Sequence, residues 1–219
     1  MTRQPNEQTD MAPIRLILVE DDPDWVTAMS AFLGREPDFV LTGTAANAAD
    51  AIELAQTADF DVVLMDIHLS GDRLDGIYAA ADIAELRPQA KIIMLTSLQD
   101  ESVIRDSFTA GAIHYVPKSD YRQLPHAIRS AYHHAYPMEV LLKEFARLKR
   151  EEQLKPLTPA EREVLELIGQ GYTQAQIERK LYKSESTIKN QVNKILKKLG
   201  VKSSKEAVQK VRRKGLFRK

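Results

Sequence analysis

Polar side chains just past four apolar runs in the N-terminal half have the types and spacing for phosphoryl chemistry. Glu20 and Asp21 follow the apolar run Ile14–Val19, and Asp66 follows Val62–Met65. Thr96 and Ser97 follow Ile92–Leu95, and Lys118 comes just after Ile113–Val116. Three carboxylates in one place repel one another unless a cation joins them, and their hard oxygens suit Mg2+. A lysine can neutralise a phosphoryl oxygen, and a threonine hydroxyl can donate a hydrogen bond to it. Asp66, expected between metal and lysine, is then the nucleophile for in-line attack on a phosphoryl donor. Read singly, Asp22, Asp24 and Ser97 are helix or turn caps.

The elements that must bring this set together alternate. Ile14–Val19, Phe39–Leu41, Val62–Met65, Ile92–Leu95 and Ile113–Val116 are short apolar runs without polar alternation, the pattern of strands buried on both faces. Helical stretches follow each, the first at Asp24–Leu33 and the second, rich in alanine, at Ala45–Ala55. This predicts an α/β domain over residues 14–136, a doubly wound five-stranded parallel sheet with helices on both sides. In such a sheet, residues just past the carboxyl ends of the strands share one crevice.

Net charge is zero over 219 residues, yet it divides. Residues 1–136 hold 10 Lys/Arg against 21 Asp/Glu, and residues 137–219 hold 21 against 10. A cation or basic group suits the first part and a polyanion the second. With no cysteine, disulfides, thiolate metal sites and cysteine nucleophiles are excluded, and a cytoplasmic setting is the expectation. The polar stretch Met1–Pro13 does not read as a secretory signal, and no eighteen-residue apolar window predicts a membrane span. The histidines lack metal-site spacing, and the His68 side chain is expected to be an exposed loop residue.

Beyond residue 136 the pattern is all helical. Met138–Glu152 is amphipathic, a linker helix over 137–155 that packs on one domain or on a partner subunit. Thr158-Pro159-Ala160-Glu161 is a helix start, with Thr158 as N-cap, and Val164, Leu165, Leu167 and Ile168 turn inward. A short helix at Gln174–Leu181, a turn at Tyr182-Lys183 and a helix to Leu199 capped by Ser184 or Ser186 form a helix-turn-helix. The last helix starts at Ser203-Ser204 and runs through Arg213. In the helix ending at Leu199, Ile188, Val192, Ile195, Leu196 and Leu199 face the core. Thr187, Lys189, Asn190, Gln191, Lys194, Lys197 and Lys198 form an acid-free opposite face suited to phosphates and base edges of double-stranded DNA.

Ile17-Leu18-Val19-Glu20-Asp21-Asp22, Val63-Leu64-Met65-Asp66-Ile67, Thr96 and Tyr115-Val116-Pro117-Lys118 resemble the receiver domain of two-component response regulators. Leu157-Thr158-Pro159-Ala160-Glu161-Arg162-Glu163-Val164-Leu165, Ile177, Ser184–Asn190 and Lys198-Leu199-Gly200-Val201 are similar to the LuxR-type DNA-binding domain over residues 156–219. The combination resembles the NarL/FixJ-type response regulators, whose receiver is flavodoxin-like. The resemblance implies that Asp66 is the phosphoacceptor, with Glu20, Asp21, Asp66 and the main-chain carbonyl of His68 as Mg2+ ligands. It makes Thr96 and Lys118 the groups that meet the phosphoryl oxygens and Tyr115 the switching aromatic.

It also implies a sensor histidine kinase as donor, a homodimer when phosphorylated, and RNA polymerase as a further partner. Thr187, Lys189, Asn190, Gln191, Lys194 and Lys198 become the DNA-binding residues, with Gln191 standing where that family often has His. The chain is then its own substrate rather than an enzyme with separate turnover. The family usually has Met-Pro after the phosphoacceptor and Asp-Gly seven residues on; here Asp75-Gly76 comes nine residues on. Two other readings compete. One is a phosphorylation-independent DNA binder whose receiver only dimerises. The other is a phosphohydrolase resembling the haloacid dehalogenases, through Asp22-Pro23-Asp24-Trp25-Val26.

Overall fold

The computed structural model describes residues 12–69, 74–97, 100–134, 136–154 and 156–212. Strands β1 (Ile14–Val19), β2 (Phe39–Ala45), β3 (Val62–Asp66), β4 (Lys91–Thr96) and β5 (His114–Pro117) form one sheet in the order β2-β1-β3-β4-β5. Every pairing is parallel. The expected doubly wound architecture is therefore present.

Alternating side chains of each strand enter two separate cores, which is why the strands read as unbroken apolar runs. Ile17, Val19, Val63 and Met65 pack with α2 (Ala48–Thr57), α3 (Asp75–Leu86) and α4 (Glu101–Thr109). Leu16, Leu18, Val62 and Leu64 pack on the other side with α1 (Pro23–Leu33) and α5 (Leu124–His134). A 3-10 segment, Lys118–Gln123, joins β5 to α5.

Strand β2 is longer than the expected Phe39–Leu41. It lies at the sheet edge, so polar Thr42 and Thr44 are tolerated within it. Its register with β1 slips between Leu16 and Ile17, where the Thr42 hydroxyl donates to the Leu16 carbonyl at 3.1 Å. The second helix starts at Ala48 rather than Ala45 because Asn47 caps it, accepting from the Asp50 N–H.

Helix α6 (Tyr136–Leu154) starts two residues before the expected Met138. Pro137 falls in its first turn, where a missing N–H leaves no hydrogen bond unmade. The C-terminal helices are α7 (Pro159–Gly169), α8 (Gln174–Leu181), α9 (Glu185–Leu199) and α10 (Ser204–Arg212). Thr158 with Glu161, and Thr173 with Gln176, make reciprocal capping boxes; the second was not foreseen. Ser184 is the cap of α9, and Gly200 closes that helix in the left-handed conformation, φ 64°. Ile188, Val192 and Ile195 of α9 bury against Val164 and Leu165 of α7 and Ile177 of α8. Arg213, the expected end of the last helix, lies outside the described residues.

Candidate functional site: an acidic crevice and a basic recognition helix

Parallel register brings the crevice together. Val19 lies opposite Met65, Asp66 opposite Leu95, and Thr96 opposite Pro117, so residues at or just past these ends are neighbours. Glu20, Asp66 and Thr96 are buried, while Asp21 is exposed. One carboxylate oxygen from each of Glu20, Asp21 and Asp66 can be chosen so that all three lie within 4.8 Å of one another.

Lys118 Nζ sits 2.9 Å from Asp66 Oδ2 and 2.6 Å from Glu20 Oε2. The first contact is an aligned hydrogen bond. The second is an ion pair whose geometry leaves Glu20 Oε2 without a hydrogen bond, although it is buried. The ammonium also lies 4.8 Å from the centroid of the Trp25 ring, a cation–π contact.

Burial pushes the Glu20 carboxyl above its ordinary range; Lys118 opposes this and the Asp66 charge adds to it. Burial works to lower the Lys118 value, but Glu20 and Asp66 outweigh it and carry the ammonium above the usual lysine range. The lysine is therefore firmly charged. Three clustered hard oxygen donors, two of them on buried residues, fit a small divalent cation such as Mg2+.

The loop after β3 is held at its base. The His68 N–H donates to Asp66 Oδ1 at 3.3 Å, and the Leu69 N–H donates to Asp75 Oδ1 at 3.0 Å. The Gly76 N–H donates to the Ile67 carbonyl at 3.2 Å. A Cβ on Gly76 would lie 1.8 Å from the Asp66 carbonyl oxygen, so only glycine fits there. Sequence reading met Asp75-Gly76 as a displaced dipeptide and missed this contact. Residues 70–73, part of the lengthened loop, lie outside the described residues.

The Thr96 side chain acts electrostatically on the Tyr115 hydroxyl. Burial raises the Tyr115 pKa, Thr96 lowers it, and the Asp100 charge raises it further. The Tyr115 ring packs at the margin of the core beneath α3 and α4. Asp22, the start of the dehalogenase-like motif, is instead the N-cap of α1, accepting from the N–H groups of Asp24 and Trp25.

On α9, Thr187, Lys189, Asn190 and Lys194 are exposed, and Gln191 is half-buried with its Oε1 enclosed. Thr187 Oγ1 is within 2.8 Å of the capping Ser184 Oγ. Lys198, also expected among the DNA-facing residues, is exposed, and its Nζ is 2.6 Å from the buried carboxylate of Glu161 on α7. It ties two helices of the domain together. Asn193, missed in the sequence, is exposed four residues after Lys189 and four before Lys197. Helical spacing puts the three on one side.

The doubly wound sheet with its acidic crevice, followed by a helix-turn-helix domain, defines a signal receiver joined to a DNA-binding output. Residues 16–129 match the response regulator receiver domain, and residues 155–211 match the bacterial regulatory proteins of the luxR family. The chain is 30% identical to the transcriptional regulatory protein DegU of Brevibacillus brevis, over 93% of this chain and 94% of that one. It is 29% identical to the nitrate/nitrite response regulator protein NarL of Escherichia coli K12, over 95% and 100% respectively. RcsB from Salmonella enterica serovar Typhimurium, bound to promoter rprA with the phosphomimetic BeF3-, has the same fold. The TM-score is 0.50 at 22% identity, covering 90% of this chain and 98% of that one. The chain belongs to the two-component response regulators of the NarL/FixJ type, and is a transcriptional regulator with a LuxR-type DNA-binding domain. Among the described residues, no helix is long and apolar enough to cross a membrane.

Proposed function

We propose that Asp66 accepts a phosphoryl group from a sensor histidine kinase, or from a small phosphodonor, and that this controls dimerisation and sequence-specific binding of double-stranded DNA. The observation that carries the reading is Lys118 Nζ, held between Glu20 and Asp66 at the rim of the three-carboxylate cluster. An Asp66 carboxylate oxygen attacks phosphorus in line as the bond from phosphorus to the donor's nitrogen or oxygen breaks, and the donor leaves with that electron pair. Lys118 keeps its proton and pairs with a phosphoryl oxygen. Glu20, Asp21, Asp66 and the His68 carbonyl would hold Mg2+, which offsets charge on the transferring group when bound.

The new charge draws the Thr96 hydroxyl inward and shifts the Tyr115 ring against the α3 and α4 side of the sheet. The altered receiver surface then releases the basic domain or favours pairing, and two α9 helices engage successive major-groove half-sites, in inverted or tandem arrangement. The RcsB structure bound to a promoter with a phosphomimetic supports the coupling by analogy of fold.

Intact-protein mass spectrometry after acetyl phosphate and Mg2+ treatment tests the chemistry: one added phosphoryl group is expected on the wild type and none on Asp66→Ala. The same treatment must change oligomeric state or DNA affinity in the wild type only. A phosphodonor response that survives Asp66→Ala overturns the assignment.

A further inference from the structure

Helix α6 covers one side of itself on α4 and leaves a second apolar side open. Its half-buried or buried positions, Glu139, Leu142, Phe145, Ala146 and Lys149, recur at steps of three and four, and α6 packs along α4. Glu139 also pairs with Lys91 at the start of β4. Beside this face, Met138, Leu141 and Leu148 are 53%, 65% and 52% exposed. Scattered exposed apolar residues need no explanation, but a periodic row does. With Phe145, these residues step by three, four and three, the a and d positions of two consecutive heptads.

We propose that this row is the seam of a parallel, in-register coiled coil between two copies of the chain. Charge selects that occupant and orientation. With Met138 and Phe145 at a, Glu144 takes g and Lys149 takes the next e, the positions that meet across a parallel seam, once on each side. An antiparallel seam, with Met138 facing Leu148 and Leu141 facing Phe145, would instead oppose Glu144 to its own counterpart in the second copy, and like charges repel.

Glu144 is exposed and Lys149, at the margin of the covered face, keeps 40% of its side chain in solvent; Glu144 is now matched to Arg147 and Lys149 to Glu152 on the same helix. Two heptads are fewer than the three or four that sustain a coiled coil alone. The contact is therefore weak and reversible, and acts together with other contacts between the copies. Parallel pairing also keeps the two C-terminal domains at the same end of the seam, as recognition of two half-sites requires. The proposal stands apart from the Asp66 chemistry.

The chain has no cysteine, so single-cysteine variants of the full-length protein report without background. Under copper-catalysed oxidation, Leu141→Cys and Leu148→Cys are expected to form covalent dimers, with or without acetyl phosphate. Val140→Cys, equally exposed but off the seam, should form severalfold fewer. Dimers at 141 and 148 in either condition carry the proposal. Their absence in both, equal cross-linking at 140, or faster mixed cross-linking of Met138→Cys with Leu148→Cys overturns it. In sedimentation, Glu144→Lys and Lys149→Glu should each weaken association severalfold and the double exchange should restore it; failure to restore overturns the assigned register. Mass spectrometry of Asp66 judges the phosphorylation reading separately.

Discussion

Lys118 Nζ lies 2.9 Å from Asp66 Oδ2 while also touching Glu20, so one ammonium screens two buried acids from each other. Replacing it with Lys118→Met should leave those acids facing one another and reduce stability in metal-free buffer by about 1–3 kcal/mol, the cost of an unpaired buried polar group. Added Mg2+ should then stabilise the variant more than it stabilises the wild type, because the ion takes over the screening. Thermal unfolding with EDTA and with Mg2+ checks this; an equal Mg2+ response in both proteins would count against the shared crevice.

Gly76→Ala places a methyl carbon where the Asp66 carbonyl oxygen already stands. Backbone must move on one side or the other, and overpacking of this kind costs about 1–3 kcal/mol. Denaturant unfolding should show the loss, and acetyl phosphate should modify Asp66 more slowly than in the wild type. A variant with unchanged stability and phosphorylation rate would contradict the close approach.

Trp25 is the chain's single tryptophan, and Lys118 Nζ lies over its ring. Mg2+ titration should therefore change tryptophan emission, through displacement of the ammonium, and Lys118→Met should largely remove the change. Fluorescence titration of the two proteins decides the matter.

The buried Glu161 gives the output domain an acid sensitivity. Burial works to raise its pKa, but Lys198 and the Thr158 contacts prevail and hold it below the ordinary glutamate range. A depressed folded value favours the fold above the unfolded pKa, about 4.3, and that contribution disappears as pH falls through the folded value. Glu161→Gln should lower neutral-pH stability by about 1–3 kcal/mol and flatten the decline below about pH 4. Circular dichroism melts across that range provide the test.

For DNA, Lys189→Ala and Lys194→Ala should each weaken binding and reduce the salt slope by about one. Lys198→Ala should instead lower stability and leave the slope nearly unchanged, because its charge is matched to Glu161. Binding isotherms at several salt concentrations, beside unfolding curves, separate the two classes of lysine.

Much of this arrangement was legible in the chain because buried parallel strands are short and apolar and their polar successors stand out. Glu20, Asp66, Thr96 and Lys118 could be placed together from that pattern alone. The rest depended on contacts distant in sequence. Lys198 has the same helical address as a DNA-facing lysine, and nothing local says that it also pairs with the buried carboxylate of Glu161, 37 residues away. Strand β2 was underestimated because an edge strand buries too few positions to mark its full length. Gly76 was visible as a residue, but nothing local says that its missing side chain makes room for the Asp66 carbonyl.

The paired anchors at the foot of the loop after β3, Leu69 to Asp75 and Ile67 to Gly76, separate two design problems. Chain can be inserted above those anchors without shifting the carboxylate below them, since extending an already closed loop adds only slowly to its entropy. Loop length is then free to drift, or to take a grafted peptide, while the carboxylate keeps its place.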